Sequence, residues 1–136
     1  MLQAYSSNLS IAADAAFSFN NVTVDKGCAE KLSGPSSIEL NKRGVYLVEV
    51  DGFGTGGAAG TGSVQLFVNG VAQPQAISSY TAAAATISNF NFKTLVQVAE
   101  NNCCCNNVSS PTVLQVLNND VALTDAHINI VVTKLF

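Results

Sequence analysis

"SVQLFVNGVAQPQAIS" (residues 63–78) decides the fold class. Asn69-Gly70 supplies two residues that tolerate positive φ, and apolar runs flank them. That combination predicts a two-residue type I′ hairpin. Pro74 cannot donate to a central ladder, so the return strand is expected at a sheet edge or a bulge. A hairpin at mid-chain sets a period of two, and the segments on either side keep it.

Upstream, "GVYLVEVDG" (44–52) alternates Tyr46, Val48 and Val50 with Val45, Leu47 and Glu49. Both sets are largely apolar near its start, which predicts an internal strand. Downstream, "FNFKTLVQVAE" (90–100), "TVLQVLN" (112–118) and "HINIVVTKLF" (127–136) continue the pattern. "AFSFNNVTV" (16–24), "SSIELN" (36–41) and "LQAYSS" near the start add shorter strands. The alanine-rich "SYTAAAATIS" (79–88) lacks a charged face, so it reads as extended chain or loop, with a short helical turn as the alternative. No segment shows a helix-length amphipathic period. Roughly eight strands separated by turn signals predict an antiparallel sandwich or barrel, in a single domain over residues 1–136.

Composition narrows the class. Hydrophobic residues make up 48% and charged residues 11%, the reverse of a disordered chain. The polarity comes from Asn, Ser, Thr and Gln, which suits a particle component or a bound oligomer. With six Lys and Arg in total and a net charge of −3, no basic stripe faces a phosphate backbone, so nucleic acid is not an expected partner. The N-terminus has neither a basic n-region nor an apolar h-region, so no secretory signal is expected. No stretch reaches the roughly 18 apolar residues of a membrane span. Synthesis in a reducing cytosol follows as the expectation.

These strands carry a resemblance. "LNKRGVYLVEV" resembles the Gly-x-Tyr strand of the trimeric jelly rolls shared by tumour necrosis factor and the globular heads of complement. "VQLFVNG" resembles their next hairpin strand. "VALTDAHINIVVTKLF" resembles the closing strand of the bacterial and phage members, which include spore-surface head domains. The resemblance implies a jelly roll that assembles as a homotrimer and presents ligands, decorates particles or caps fibres without enzymatic activity. The chain lacks Trp and a Gly-X-Y stalk. A virion location therefore fits it better than a secreted-ligand role. Capsid or fibre proteins, or a host-surface glycan, are the partners the resemblance implies. A carbohydrate- or receptor-binding head is the alternative.

Few residues suggest chemistry. Gly52-x-Gly54-x-x-Gly57 has the letters of a dinucleotide fingerprint, but a strand follows it where a helix is required, so it reads as a flexible glycine-rich loop. His127 is the one histidine and lies two residues after Asp125. It reads as a strand-end or interface residue, with a protonation-sensitive contact as the sharper alternative. Asp14, Asp25, Asp120 and Asp125 lie in loops, where aspartates ordinarily cap turns. A calcium ion held by loop oxygens is the other reading. No cofactor and no metal is expected.

Two features point to self-association. Phe90 and Phe92 lie two apart and point the same way. In the closing strand Ile128, Ile130 and Val132 occupy one face and Val131 and Leu135 the other. A strand apolar on both faces is covered on both, by a neighbouring subunit or by local loops. Phe90, Phe92, Ile128, Ile130 and Val132 are therefore the candidate trimer-interface residues. Cys103, Cys104 and Cys105 are adjacent, so in extended chain they alternate direction and do not converge on one metal. They read as a loop of small residues, or as an inter-subunit thiol cluster if three copies of the loop meet.

Overall fold

The computed structural model describes residues 1–99 and 107–136. Eleven strands form among them: β1 (Leu2–Ile11), β2 (Ala15–Ala16), β3 (Asn21–Asp25), β4 (Glu30–Ser33), β5 (Ser37–Lys42), β6 (Gly44–Gly56), β7 (Gly60–Val68), β8 (Val71–Ala82), β9 (Ile87–Val98), β10 (Asn107–Asn119) and β11 (Leu123–Lys134). They make two antiparallel sheets, ordered β3-β1-β11-β6-β9 and β4-β5-β10-β7-β8, with β2 beside β10. The sheets face each other across one apolar core, giving a β-sandwich of jelly-roll type.

The hairpin that opened the argument has the expected geometry. Asn69 and Gly70 take φ of 50° and 78°, the left-handed pair that a type I′ turn demands. Strand β8 is the edge of its sheet, and the β7–β8 register shifts between Gln65 and Phe67, opposite the segment that holds Pro74. Proline thus sits where a missing N–H breaks no central ladder. The alanine-rich stretch is extended to Ala82 and then turns through 83–86 into β9.

Strand β6 is internal, paired with β11 on one side and β9 on the other. Strand β11 is the middle strand of the five. It pairs with β1 from Leu2↔Val132 to Leu123↔Ile11, joining the two ends of the chain. The short strand β4 and the split of 16–24 into β2 and β3 were not legible in the sequence. Strand β4 hides in "EKLS", where two charges mask the alternation.

The core takes Tyr46, Val48, Val50, Ile128, Ile130 and Val132 from one sheet and Val64, Leu66, Leu114, Val116, Ile38 and Leu40 from the other, all buried. This corrects the interface assignment. Phe90, Ile128, Ile130 and Val132 are at most 2% exposed within a single chain, and Phe92 packs against the same core. The physical reason is parity. Both faces of β11 are apolar enough to be the inner one, and only the opposing sheet selects between them.

The glycine run is also corrected. Gly52, Gly54 and Gly56 belong to strand β6 rather than to a loop, and all point inward. A Cβ at Gly52 would overlap the His127 carbonyl and the Phe90 ring. A Cβ at Gly62 would strike the ring of Tyr80. Gly52 and Gly62 make room for aromatic rings against the backbone, while Gly54 makes room for Leu123 and Gly56 for the segment at Ala82 and Ala83.

Candidate assembly face

With Ile128, Ile130 and Val132 turned inward, the alternate residues of each strand form the outer face of the five-stranded sheet. Gln3, Tyr5 and Ser7 come from β1, and His127, Asn129, Val131 and Thr133 from β11. Val45, Leu47, Glu49, Asp51 and Phe53 come from β6, and Ile87, Asn89, Asn91, Lys93, Leu95 and Gln97 from β9. Strand pairing aligns them in rows, because His127 sits opposite Phe53, Asn129 opposite Asp51, and Thr133 opposite Leu47, itself opposite Leu95.

One row is aromatic. The His127 ring stacks on Phe53 at 5.4 Å with 17° between planes, and lies 6.2 Å from the Tyr5 ring. Ser7 Oγ and His127 Nδ1 are 3.1 Å apart and share a hydrogen bond. The next row is polar: Gln3 Nε2 donates to Asn129 Oδ1 at 3.1 Å, and Asn129 Nδ2 donates to Asp51 Oδ1 at 3.2 Å. Below it Val131, Leu47, Val45 and Leu95 are apolar again. Phe53 is 42%, Leu95 56% and Ile87 63% exposed on this face.

The other outer face differs. On the six-stranded sheet Gln65 Nε2 donates to the Gln73 carbonyl at 3.1 Å, Asn119 Nδ2 to Ser63 Oγ at 3.3 Å, and Gln115 Nε2 to Ser37 Oγ at 3.4 Å. Amides and hydroxyls linked in this way suit water. The five-stranded face interleaves aromatic and aliphatic side chains with Glu49, Asp51, Asn91 and Lys93, and its Tyr5–His127–Phe53 row distinguishes it from the other face, where Ile77 is 41% exposed.

Ser7 and His127 form a hydroxyl–imidazole pair, and among the described residues no carboxylate is bonded to the histidine. Asp125 occupies the left-handed residue of a bulge, at φ 49°, and no hydrogen bond joins it to His127 among the described residues. The His127 ring is held by Phe53 and Ser7 as a packing element. Among the described residues no three His, Cys, Asp or Glu side chains gather closely enough to hold a metal. Asp14 Oδ1 accepts the Asp120 backbone N–H at 3.2 Å, a turn-capping contact. The triplet Cys103, Cys104 and Cys105 lies outside the described residues, and Cys28 is exposed and free. No helix is long and apolar enough to cross a membrane among the described residues.

Structural comparison places the architecture. The chain superposes on the globular domain of zebrafish complement 1qA protein with a TM-score of 0.70, at 7% identity, over 99% of this chain and 96% of that one. It has the jelly-roll fold of tumour necrosis factor and the complement heads. Eiger, a tumour necrosis factor from S. frugiperda, matches with a TM-score of 0.69 at 14% identity, over 98% and 92% of the two chains. The PRD1 vertex protein P5 matches with a TM-score of 0.66 at 18% identity, over 99% and 96%. No family model and no curated protein sequence matches the chain. The shared property is therefore the fold.

The residues expected at an interface, Phe90, Ile128, Ile130 and Val132, are buried within the single chain, and the alternate residues of their strands form the outer face. Val131 belongs to the face opposite Ile128, Ile130 and Val132, and that face is the outer one. Tyr5 and Phe53 were missed, because β1 and the glycine-rich end of β6 carry too few apolar residues to show which parity faces out.

Proposed function

We propose that this chain is a non-enzymatic structural head protein of a virion, built as a homotrimer through the outer face of the five-stranded sheet. The observation that carries the reading is the Tyr5–His127–Phe53 row on that face, opposite an amide-lined face on the other sheet. Three copies that pack these rows around an axis remove Phe53 and Leu95 from water. The amide-rich six-stranded sheet and its loops then face outward toward capsid, fibre or host surface. The vertex protein among the structural neighbours supports a virion setting. A module that stacks sugars is less well supported: Tyr46 and Tyr80 are buried, leaving Tyr5 half-buried within the sheet face.

Native mass spectrometry at micromolar concentration tests the assembly. The expected species is three chains of 14.1 kDa each. Phe53→Asp should yield monomer with its unfolding temperature still measurable, since residue 53 is exposed in the single chain. A monomeric wild-type chain overturns the trimer. Particle fractionation tests the setting separately. The protein should co-sediment with particles, and recovery only from the unsedimented fraction overturns the virion assignment.

A further inference from the structure

The outer face of the five-stranded sheet carries one hydrogen-bonded polar row among its apolar side chains. The row is Gln3, Asn129 and Asp51, linked at 3.1 Å and 3.2 Å across β1, β11 and β6. On one side of it lie Tyr5, His127 and Phe53. On the other, Val131 stands opposite Glu49, and Leu47 opposite Leu95 follows.

Chemistry gives the row a direction. A carboxylate only accepts, so Asn129 turns Nδ2 to Asp51 and is left with Oδ1 for Gln3, and Gln3 must donate. The row therefore ends in a donor on β1 and an acceptor on β6. Gln3 Nε2 carries a second N–H to give. Asp51 is exposed, and its two oxygens have room for about four hydrogen bonds, of which Asn129 supplies one.

Covering this face treats its two kinds of residue differently. Apolar contact is non-directional, so a second copy can slide or rotate over Phe53, Leu47 and Leu95 at little cost. Asp51 does not allow this. A carboxylate covered by apolar side chains keeps its charge and loses its water, a penalty larger than the gain from one apolar contact. A second copy of the chain brings the group that answers it, because the donor end of one row complements the acceptor end of another.

We propose that Gln3, Asn129 and Asp51 fix the register between copies, with the Gln3 amide of one copy donating to the Asp51 carboxylate of the next. This rests on the homotrimer reading of the same face, and adds that the polar row selects the packing which the apolar side chains drive. In a ring of three, each donor end meets an acceptor end.

Native mass spectrometry and sedimentation over a range of concentrations test it. The wild-type chain should give one species of three chains. Gln3→Leu leaves the covered carboxylate without its donor and should weaken assembly at least about tenfold. Gln3→Glu keeps a similar length, sets carboxylate against carboxylate, and should do the same. Asp51→Leu removes the demand for a donor, so the chains should still associate but in more than one oligomer size. Adding Asp51→Leu to Gln3→Leu should restore association. Gln115→Leu, an amide-to-leucine change on the six-stranded sheet, should leave the trimer as it is. A uniformly trimeric Asp51→Leu overturns the proposal, and so does an unweakened Gln3→Glu or an equal loss in Gln115→Leu. Loss of the trimer in Lys93→Gln but not in Gln3→Leu assigns the donor to the lysine and overturns it too. Each of these results is read against a trimeric wild type and leaves the trimer standing. A monomeric wild type overturns the trimer itself, and the register with it. Unfolding temperatures of the same samples separate lost assembly from lost folding; if Gln3→Leu unfolds, Gln3→Glu and Asp51→Leu decide.

Discussion

Tyr80 shows how one buried polar side chain holds two strand ends together. Its hydroxyl donates to Asn118 Oδ1 at 2.6 Å, and Asn118 Nδ2 donates to the Val121 carbonyl at 2.7 Å and the Ala12 carbonyl at 3.4 Å. The ring lies over Gly62, so phenol and glycine form one unit. Tyr80→Phe keeps the ring but orphans a buried amide oxygen, and should cost about 1–3 kcal/mol in urea unfolding. The same residue gives a pH dependence. Burial, then the charge of Asp120, pushes the Tyr80 phenol above its ordinary value of 10.0; burial, then Glu30, does the same to Tyr46. A raised acid keeps its proton longer in the folded state than in the unfolded one. Its contribution is therefore fully present below 10.0 and is lost as pH rises through the folded value. Unfolding temperature should drop on the alkaline side of that point, and Tyr80→Phe should shallow the drop. An identical alkaline slope in the variant would remove Tyr80 as its source.

At the scale of elements, glycine placement decides how closely strands approach. Gly52 lies in the paired interior of β6, between Ile128 and Phe90 in register. Gly52→Val forces both away, with a loss of at least about 3 kcal/mol in equilibrium unfolding, the upper range for overpacking. A near-neutral result would mean that β6 and β11 can part without cost. The hairpin makes a smaller, local demand. Asn69→Val puts a β-branched residue at φ 50°, and should cost about 1–2 kcal/mol without changing the fold. Asn69 also accepts the Val113 backbone N–H through Oδ1 at 2.8 Å, so the variant loses a cross-strand bond. The hairpin was legible in the sequence because its signal is contained in two adjacent residues and a proline. The glycines of β6 were read as a loop because the side chains that fill their space, Phe90 at Gly52 and Leu123 at Gly54, lie tens of residues away in the chain.

Across the whole molecule, stability centres on β11. Its neighbours are β1 and β6, so the first and last parts of the chain must meet before the middle of the sheet exists. Pairings such as Leu2↔Val132 are closed late and at high entropic cost, so folding should fall in the millisecond-to-second class of non-local β proteins. Amide exchange should be slowest in β11 and fastest in the edge strand β8 around Pro74. Slower exchange in β8 than in β11 would contradict the sheet order. The same long-range pairing sets the outer surface of the five-stranded sheet and the end of the sandwich where β6 begins. It aligns Tyr5, His127 and Phe53 from three strands, and it returns Lys134 to the turn at Lys42 and Arg43.

The sequence by itself determined the all-β class, the hairpin at Asn69-Gly70, the placement of Pro74 at an edge or a bulge and the internal position of the Gly-x-Tyr strand. Those features depend on local φ preference and on alternation, which act between neighbours in the chain. Only the tertiary structure decided which face of β11 is inner, and with it that Phe90, Ile128, Ile130 and Val132 are core, with Phe92 packed against them, while Tyr5, His127 and Phe53 face out. It also decided that Gln3, Asn129 and Asp51, from three strands, form one hydrogen-bonded row. A period of two gives two faces and does not name them. The choice is made by the opposing sheet, whose contacts lie tens of residues away in the chain.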